Sequence, residues 1–326
     1  MQGDFFLTQG VFLGMRWLFE TVTGQSIVLT IIISTLIIKA ITIIGDIKSR
    51  KSSMKMSAIQ PQLDKLRKKY ENDPQRLQRE SSKLMKENNV SMFGGCLPML
   101  FTMPLFFVFI AAFRQWGNEM MVHLIVTLEN DPEAGVELFK NFHFLWVNNM
   151  WQPDNGFQPV ISSAQMLFQG TEIHRLFYFS EHPEALELFK NLGFFVESTA
   201  KNAANGVVIA DLTEDLVAKY NAIVQPCVDL YAGYNNGWFL FPVLCCGTTF
   251  LSTWLMQRGQ PQAASTAGSN KMMTWLMPAM TFFFCLSTNA AFALYWTVSN
   301  VISMLTTFFI NKGFAKQSVA IEVDKK

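Results

Sequence analysis

The feature that most constrains this chain is residues 27–44, which are apolar apart from small hydroxyl side chains and one lysine, Lys39. A helix of eighteen residues covers about 27 Å, close to the thickness of a hydrocarbon core. This stretch is therefore predicted to cross a membrane. A lysine inside such a span costs roughly 2.5–3.5 kcal/mol on insertion scales, so it usually faces a partner or water.

Lys39 does not stand alone on this helix. At 100° per residue, Thr35, Thr42 and Asp46 fall on the same side as the lysine, which predicts one polar wall. Such a wall indicates a surface that faces water or a polar partner. The alternative is that Lys39 only extends its ammonium to the cytoplasmic headgroups, since the span ends five residues later at Ile44. This segment by itself leaves both interpretations open.

Composition places the whole chain among polytopic membrane proteins. Half of its 326 residues are apolar, and the charges are crowded into a few segments between long apolar runs. The net charge of +1, with basic residues beside the spans, argues against nucleic-acid binding. Four of the five cysteines lie in or at apolar runs, and only Cys227 lies in a polar segment. Neither a disulfide framework nor a Cys/His metal spacing is present, so we expect no metal and no cofactor.

The predicted fold class is all-α, a five-span helical core with a cytoplasmic helical hairpin and a large extracytoplasmic insertion. An interfacial amphipathic helix is expected over residues 1–25. The spans are predicted at 26–47, 96–113, 238–256, 272–286 and 290–310. The segments between and after them are the hairpin (48–95), the extracytoplasmic region (114–237), a short loop (257–271) and a tail (311–326).

The charges of these segments give a consistent orientation. The hairpin segment carries twelve Lys/Arg against five Asp/Glu, a net of +7, and region 114–237 carries six against fifteen, a net of −9. The short loop and the tail are each net +2. Under the positive-inside rule the hairpin, the loop and the tail are cytoplasmic. The N-terminus is then outside and the C-terminus in the cytosol.

Two local patterns predict helices outside the spans. In the hairpin, Asp73 is placed as an N-cap and Pro74 as the first helical residue between two apolar stripes. In the extracytoplasmic region, the sequence PEAGVELFKN at 132–141 nearly repeats as PEALELFKN at 183–191. Both copies are expected to be short amphipathic helices whose apolar side chains face the membrane or each other.

The fifth predicted span carries a second polar stripe. Tyr295, Ser299, Ser303 and Thr306 share a helical face, and Asn300 lies beside it. Hydrogen bonding between helices explains such a stripe as often as a water-facing wall does. On its own, this pattern does not distinguish the two.

Several motifs, in order, resemble the YidC membrane-protein insertase family. They are IQPQL at 59–63, KY and DP at 69–74, GGCLP at 94–98, MPLFF at 103–107, FLWV and QPD at 144–154, and ALYWTVSN at 293–300. The similarity covers roughly 10–154 and 238–312. Residues 155–237 match no motif of the family core and are interpreted as an insertion.

The resemblance implies a hydrated groove that is open to the cytosol and to lipid. Counting back from the Gln-Pro motif, Lys39 lies where the family usually has an arginine, and Asn289 and Ala291 replace the usual proline and glycine of the turn between the last two spans. Lysine keeps the charge but loses the bidentate fork of arginine. The predicted groove residues are Lys39, Thr35, Thr42, Thr102, Tyr295, Ser299, Asn300 and Ser303.

The predicted function is therefore that of a membrane-protein insertase and chaperone, and not of an enzyme. Its groove would bind polar or acidic client tails and release client helices into lipid. The resemblance implies a multi-pass protein of the bacterial cytoplasmic membrane. Its implied partners are newly made membrane proteins and the bilayer, with the Sec translocon, the signal recognition particle receptor and the ribosome as further candidates.

Two other classes of function compete with the insertase. The first is an anion transporter or channel that uses Lys39 as its binding charge. Against it, the spans show neither a pair of corresponding interrupted helices nor a coupling carboxylate. A membrane-embedded enzyme ranks third, because no pair of nucleophile and base is visible within the spans.

Overall fold

The computed structural model describes residues 6–88, 97–257 and 267–323, which are mostly helical. Short turns of π-helix (Gln165–Gln169) and 3-10 helix (Ile173–Arg175) and two strands, β1 (Phe195–Glu197) and β2 (Val207–Ile209), complete the regular structure of this part of the chain. Its α-helices are α1 (Phe6–Thr21), α2 (Ile27–Lys69), α3 (Pro74–Glu87), α4 (Leu97–Asn130), α5 (Pro132–Lys140), α6 (Tyr178–Glu181), α7 (Pro183–Asn191), α8 (Glu214–Leu230), α9 (Leu240–Gln257), α10 (Ala267–Ser287) and α11 (Ala290–Val323).

Three helices run past the boundaries predicted for the spans. Helix α2 continues from the first span into the hairpin, α4 continues to Asn130, and α11 continues into the tail. A fall in hydropathy shows where a segment passes from the apolar phase into water, whereas a helix ends at a capping residue or a proline. The two boundaries therefore need not coincide. The mostly helical content is consistent with the all-α prediction; the described residues add one short antiparallel pair, β1 with β2, in which Val196 is opposite Val208.

Hydropathy within the described residues supports membrane crossing without establishing a count of five spans. Two stretches, Ile27–Gly45 and Ala290–Ile310, are long and apolar enough to cross a bilayer. Leu240–Leu255 and Thr274–Ser287 are apolar but shorter. The number of spans and their orientation stay predictions.

The chain divides into two compact units. The first comprises Met1–Ser34, Phe107–Val243 and Phe283–Tyr295, and the second comprises Thr35–Phe106, Leu244–Phe282 and Trp296–Lys326. At the centre of the first unit, Trp116 is buried, with its ring centroid 4.8 Å from that of Trp151 and 5.5 Å from that of Phe19. These rings bring α1, α4 and the loop before the insertion into one core.

The two similar sequences at 132–141 and 183–191 do form short helices, α5 and α7. Their buried phenylalanines, however, pack in different aromatic clusters. The ring of Phe139 is 5.8 Å from those of Phe142 and Tyr231, whereas Phe189 lies 5.1 Å from Phe195 and near Phe179. The expectation that these helices face the membrane or each other is therefore wrong, because aromatic neighbours within the region cover their apolar faces.

The second unit contains the described part of the hairpin. Asp73 accepts the backbone N–H of Arg76 and Pro74 begins α3, so the predicted N-cap is confirmed. Ile59 and Leu63 of α2 form a small core with Met56, Leu84 and Met85. Residues 89–95, which close the predicted hairpin, lie outside the described residues.

Candidate functional site

Lys39 and Ser303 are in direct contact in the second unit. Lys39 Nζ donates a hydrogen bond of 2.8 Å to Ser303 Oγ, which links α2 to α11. Ser303 Oγ in turn donates to the backbone oxygen of Ser299, also at 2.8 Å. Because a hydroxyl group accepts one ammonium N–H without supplying a negative charge, this contact orients the lysine but does not neutralise it.

Two threonines of α2 accompany the lysine on the predicted polar wall. Thr35 is completely buried, and Thr42 is partly buried with its hydroxyl donating to the carbonyl oxygen of Lys39 at 3.4 Å. Hydroxyl groups that bond back to their own helix keep their polarity satisfied in apolar surroundings. Lys39 is thus contacted at its carbonyl by its own helix and at its ammonium by α11.

Asn300 is directed toward α9. Its Nδ2 donates to Thr249 Oγ1 at 2.9 Å and to Thr248 Oγ1 at 3.2 Å, and Trp296 Nε1 donates to Thr249 Oγ1 at 3.0 Å. These bonds join α9 to α11 within the second unit. Thr248 and Thr249 were missed from the sequence, although two adjacent hydroxyl side chains inside an apolar run could have indicated them.

For two of the predicted groove residues, Tyr295 and Thr102, membership of the groove stays a prediction. Tyr295 belongs to the first unit, where its ring stacks on Phe109 at 4.5 Å and lies 5.5 Å from Phe113. Thr102 belongs to α4, but its side chain lies outside the described part of the chain. The described contacts therefore unite Lys39, Thr42, Ser299 and Ser303, and they place Asn300 at a neighbouring junction.

A cluster of charges in the first unit joins three elements. Arg16 of α1 contacts Glu20 at 2.8 Å, Glu119 of α4 at 3.2 Å and Glu181 of α6 at 2.6 Å. The side chain of Glu119 is only 7% exposed, and its Oε2 has no hydrogen-bond partner among the described residues. Burial raises the pKa of Glu119 to about 7; Arg16 opposes the rise, and Glu181 and Glu20 add to it.

A buried carboxylate ties the residue just before the insertion to the start of α9. Asp154, which is fully buried, accepts the backbone N–H groups of Trp238, Phe239 and Phe241 at 2.7–3.0 Å. It also accepts the indole N–H of Trp146 at 2.9 Å. These donors satisfy the hydrogen-bonding capacity of the carboxylate. In return, the carboxylate caps backbone N–H groups at the start of α9.

The turn between α10 and α11 is also held in place. Asn289 Oδ1 accepts the N–H of Phe292, which makes it the N-cap of α11, and its Nδ2 donates to the carbonyl of Phe113. The N–H groups of Ala290 and Ala291 donate to the carbonyls of Gln152 and Met150. The departure from the usual proline and glycine is therefore compatible with a well-bonded turn.

A cavity of about 320 Å³ lies beside this turn in the first unit. Polar and charged side chains contribute to its wall, and none of the predicted groove residues lines it. Among the described residues, no group of three His, Cys, Asp or Glu side chains is placed to hold a metal ion. The polar residues at the cavity are Arg114, Asn118, Gln152, Ser162, Thr171, Ser287, Thr288 and Asn289.

Comparisons with known proteins identify similar chains. Residues 17–317 match the model of the family described as 60Kd inner membrane protein, and the match encloses residues 155–237. The membrane protein insertase YidC of Clostridium perfringens is 36% identical over 142 residues, which are 43% of this chain and 51% of that protein. The insertase YidC of Chlorobaculum tepidum is 26% identical over 305 residues, 94% of this chain and 36% of that protein. The chain thus spans about half or less of the length of these relatives.

Proposed function

Because the chain belongs to the 60Kd inner membrane protein family, the YidC-type insertases, we propose that it inserts newly made proteins into the bacterial cytoplasmic membrane. This family is one of insertases and not of enzymes. The proposed activity therefore makes and breaks no covalent bond. It lowers the free-energy cost of moving a polar segment across hydrocarbon.

The observation that carries the proposal is the hydrogen bond from Lys39 to Ser303. A client tail that crosses the bilayer loses its water, and each unsatisfied polar group costs several kcal/mol. A positive charge held beside hydroxyl groups offers an acidic tail a partner inside the membrane. At about 4 Å and an effective dielectric near 20, the attraction is roughly 4 kcal/mol before desolvation is subtracted.

Lys39 acts in this proposal as the charge that retains the tail. Thr35, Thr42, Ser299 and Ser303 line the groove around it. The tail is released when the apolar helix of the client partitions into lipid. In the proposed orientation the hairpin, with its net charge of +7, lies in the cytosol, where it faces the anionic headgroups.

Insertion in proteoliposomes tests the role of the lysine charge. Lys39→Arg should keep most of the activity, Lys39→Ala should slow clients with acidic tails, and Lys39→Glu should slow them most, because attraction becomes repulsion. Neutralising the acidic residues of a client tail should rescue part of the loss. Insertion is measured as protease protection of the translocated tail.

A matched control comes from the same helix. Lys55 of α2 is exposed in the hairpin part, so Lys55→Ala removes a charge without touching the proposed groove. It should insert acidic-tailed clients at the parental rate. Equal rates for all Lys39 variants would contradict the role of the charge. A solute flux that depends on Lys39, without client insertion, would favour the anion transporter instead.

A further inference from the structure

Large apolar side chains are exposed around the entrance to α9 in the first unit. Phe157 is 84% exposed, Trp238 70%, Tyr234 66% and Leu145 59%. We call these four residues the aromatic edge. Exposed apolar groups that cluster in this way usually mark an interaction site.

The loops that carry the aromatic edge are held together at Asp154. Trp238 donates its backbone N–H to this carboxylate, and Trp146, the neighbour of Leu145, donates its indole N–H to it. The ring of Phe157 lies 5.2 Å from that of Phe239. The Asn235 side chain, next to Tyr234, donates to the carbonyl of Gly156. The four residues therefore belong to loops that meet at one hydrogen-bonded junction.

Charge is almost absent from these loops. Residues 144–163 contain one charged side chain, the buried Asp154, and residues 230–257 contain none. Burying this surface in an apolar phase would therefore remove no exposed charge of these loops from water. The rest of the insertion is different, because it carries exposed ion pairs such as that between Lys190 and Glu197.

We propose that the aromatic edge lies in the outer boundary between the headgroups and acyl chains of the bilayer, so that the insertion rests on lipid. The edge is continuous with the apolar helix α9, and aromatic side chains are enriched at this depth because their rings are amphipathic. Phe157 and Tyr234 belong to the insertion, which makes it a membrane-contacting element and not a free excursion. The inference rests on the membrane path proposed for α9, and not on client binding by Lys39.

Fluorescence from an environment-sensitive dye on single added cysteines tests this placement. Phe157→Cys reports the edge, Val196→Cys on β1 reports an exposed apolar position of the insertion, and Val243→Cys reports α9 itself. The two control positions are 52% and 55% exposed in the parent chain. The full chain is reconstituted in phospholipid vesicles, with the unmodified chain as the background for its native cysteines. The quenchers are a phospholipid spin-labelled near its acyl carbonyl and aqueous iodide.

The label at position 157 should show blue-shifted emission, lose fluorescence to the spin-labelled lipid and be shielded from iodide, as the label at 243 does. The label at 196 should show the opposite behaviour. The proposal is overturned if position 157 behaves like position 196, or if it is shielded from both quenchers, which would mean that protein covers it. Absence of lipid quenching at position 243 would also overturn the proposal, because α9 would then not follow the membrane path on which the proposal rests. The insertion rates of the Lys39 variants test client binding and are independent of this result.

Discussion

The carboxylate of Asp154 accepts the backbone N–H of Phe241 at 2.7 Å, although 87 positions separate the two residues in the chain. The residue just before the insertion thus caps the helix that follows the insertion. Asn236 strengthens this connection, because its side chain bonds to both the N–H and the carbonyl of Asn149. The two ends of the insertion are parts of one buried polar network.

Removing the charge of Asp154 should destabilise the first unit. Asp154→Asn turns one acceptor oxygen into a donor that faces N–H groups, and a lost hydrogen bond to a charged group costs about 1.5–3 kcal/mol. We expect a lower Tm in detergent. Asp211→Asn, at an exposed carboxylate, is the control and should leave the Tm unchanged. An unchanged Tm for Asp154→Asn would contradict the importance of the network.

Gly237 should not tolerate a side chain, because the carboxylate of Asp154 lies beside it. Its φ is +95°, and a Cβ atom there would overlap Asp154 Oδ1. Gly233 has a φ of +82° but open space around it, so Gly233→Ala pays only the backbone strain of roughly 1–2 kcal/mol. We expect Gly237→Ala to lower the Tm more than Gly233→Ala. Equal losses would mean that Asp154 moves aside without cost.

Glu119 should make stability depend on pH. Its pKa rises from 4.5 to about 7 in the folded protein, because it is buried near Glu20 and Glu181. Between these values the folded state binds a proton that the unfolded state has released, so the free energy of unfolding falls as the pH rises. Glu119→Gln should flatten this slope in unfolding experiments across that range. Glu129→Gln, at an exposed position of the same helix, is the control and should keep the parental pH dependence. A parental slope in Glu119→Gln would show that another group causes the pH dependence.

Ser303 should matter less than the charge it orients. Ser303→Ala removes the hydroxyl acceptor 2.8 Å from Lys39 Nζ and leaves the ammonium present. We expect insertion of acidic-tailed clients to fall less than in Lys39→Ala, and Ser303→Thr, which restores a hydroxyl, to recover the parental rate. Protease protection measures all three variants. A loss in Ser303→Ala as large as that in Lys39→Ala would show that the position of the lysine, and not only its charge, is required.

Much of the local structure could be predicted because its causes are local. The apolar run around Lys39 is long enough to cross a bilayer whatever surrounds it, and Asp73 with Pro74 starts α3 through contacts within four residues. The order of the motifs was sufficient to indicate the family that the match over residues 17–317 establishes. The role of the predicted groove residues stays a prediction.

Partners across the chain could not be predicted in the same way. Helical periodicity places Ser303 and Asn300 on a face, but it does not say that one meets Lys39 of α2 and the other meets Thr249 of α9. Nor does it say that the ring of Tyr295 stacks on that of Phe109. Which neighbour a side chain meets depends on how helices distant in sequence pack.

The sequence by itself determined the membrane class, the polar wall around Lys39 and the family, because hydropathy, charge and short motifs act within one segment. Only the tertiary structure decided that Asp154 caps α9, that Glu119 is buried beside Arg16, and that the ends of the insertion join the core. Each of these features requires hydrogen bonds or charges brought together from distant segments. Folding brings these groups close together and buries them, and burial strengthens the interactions between them.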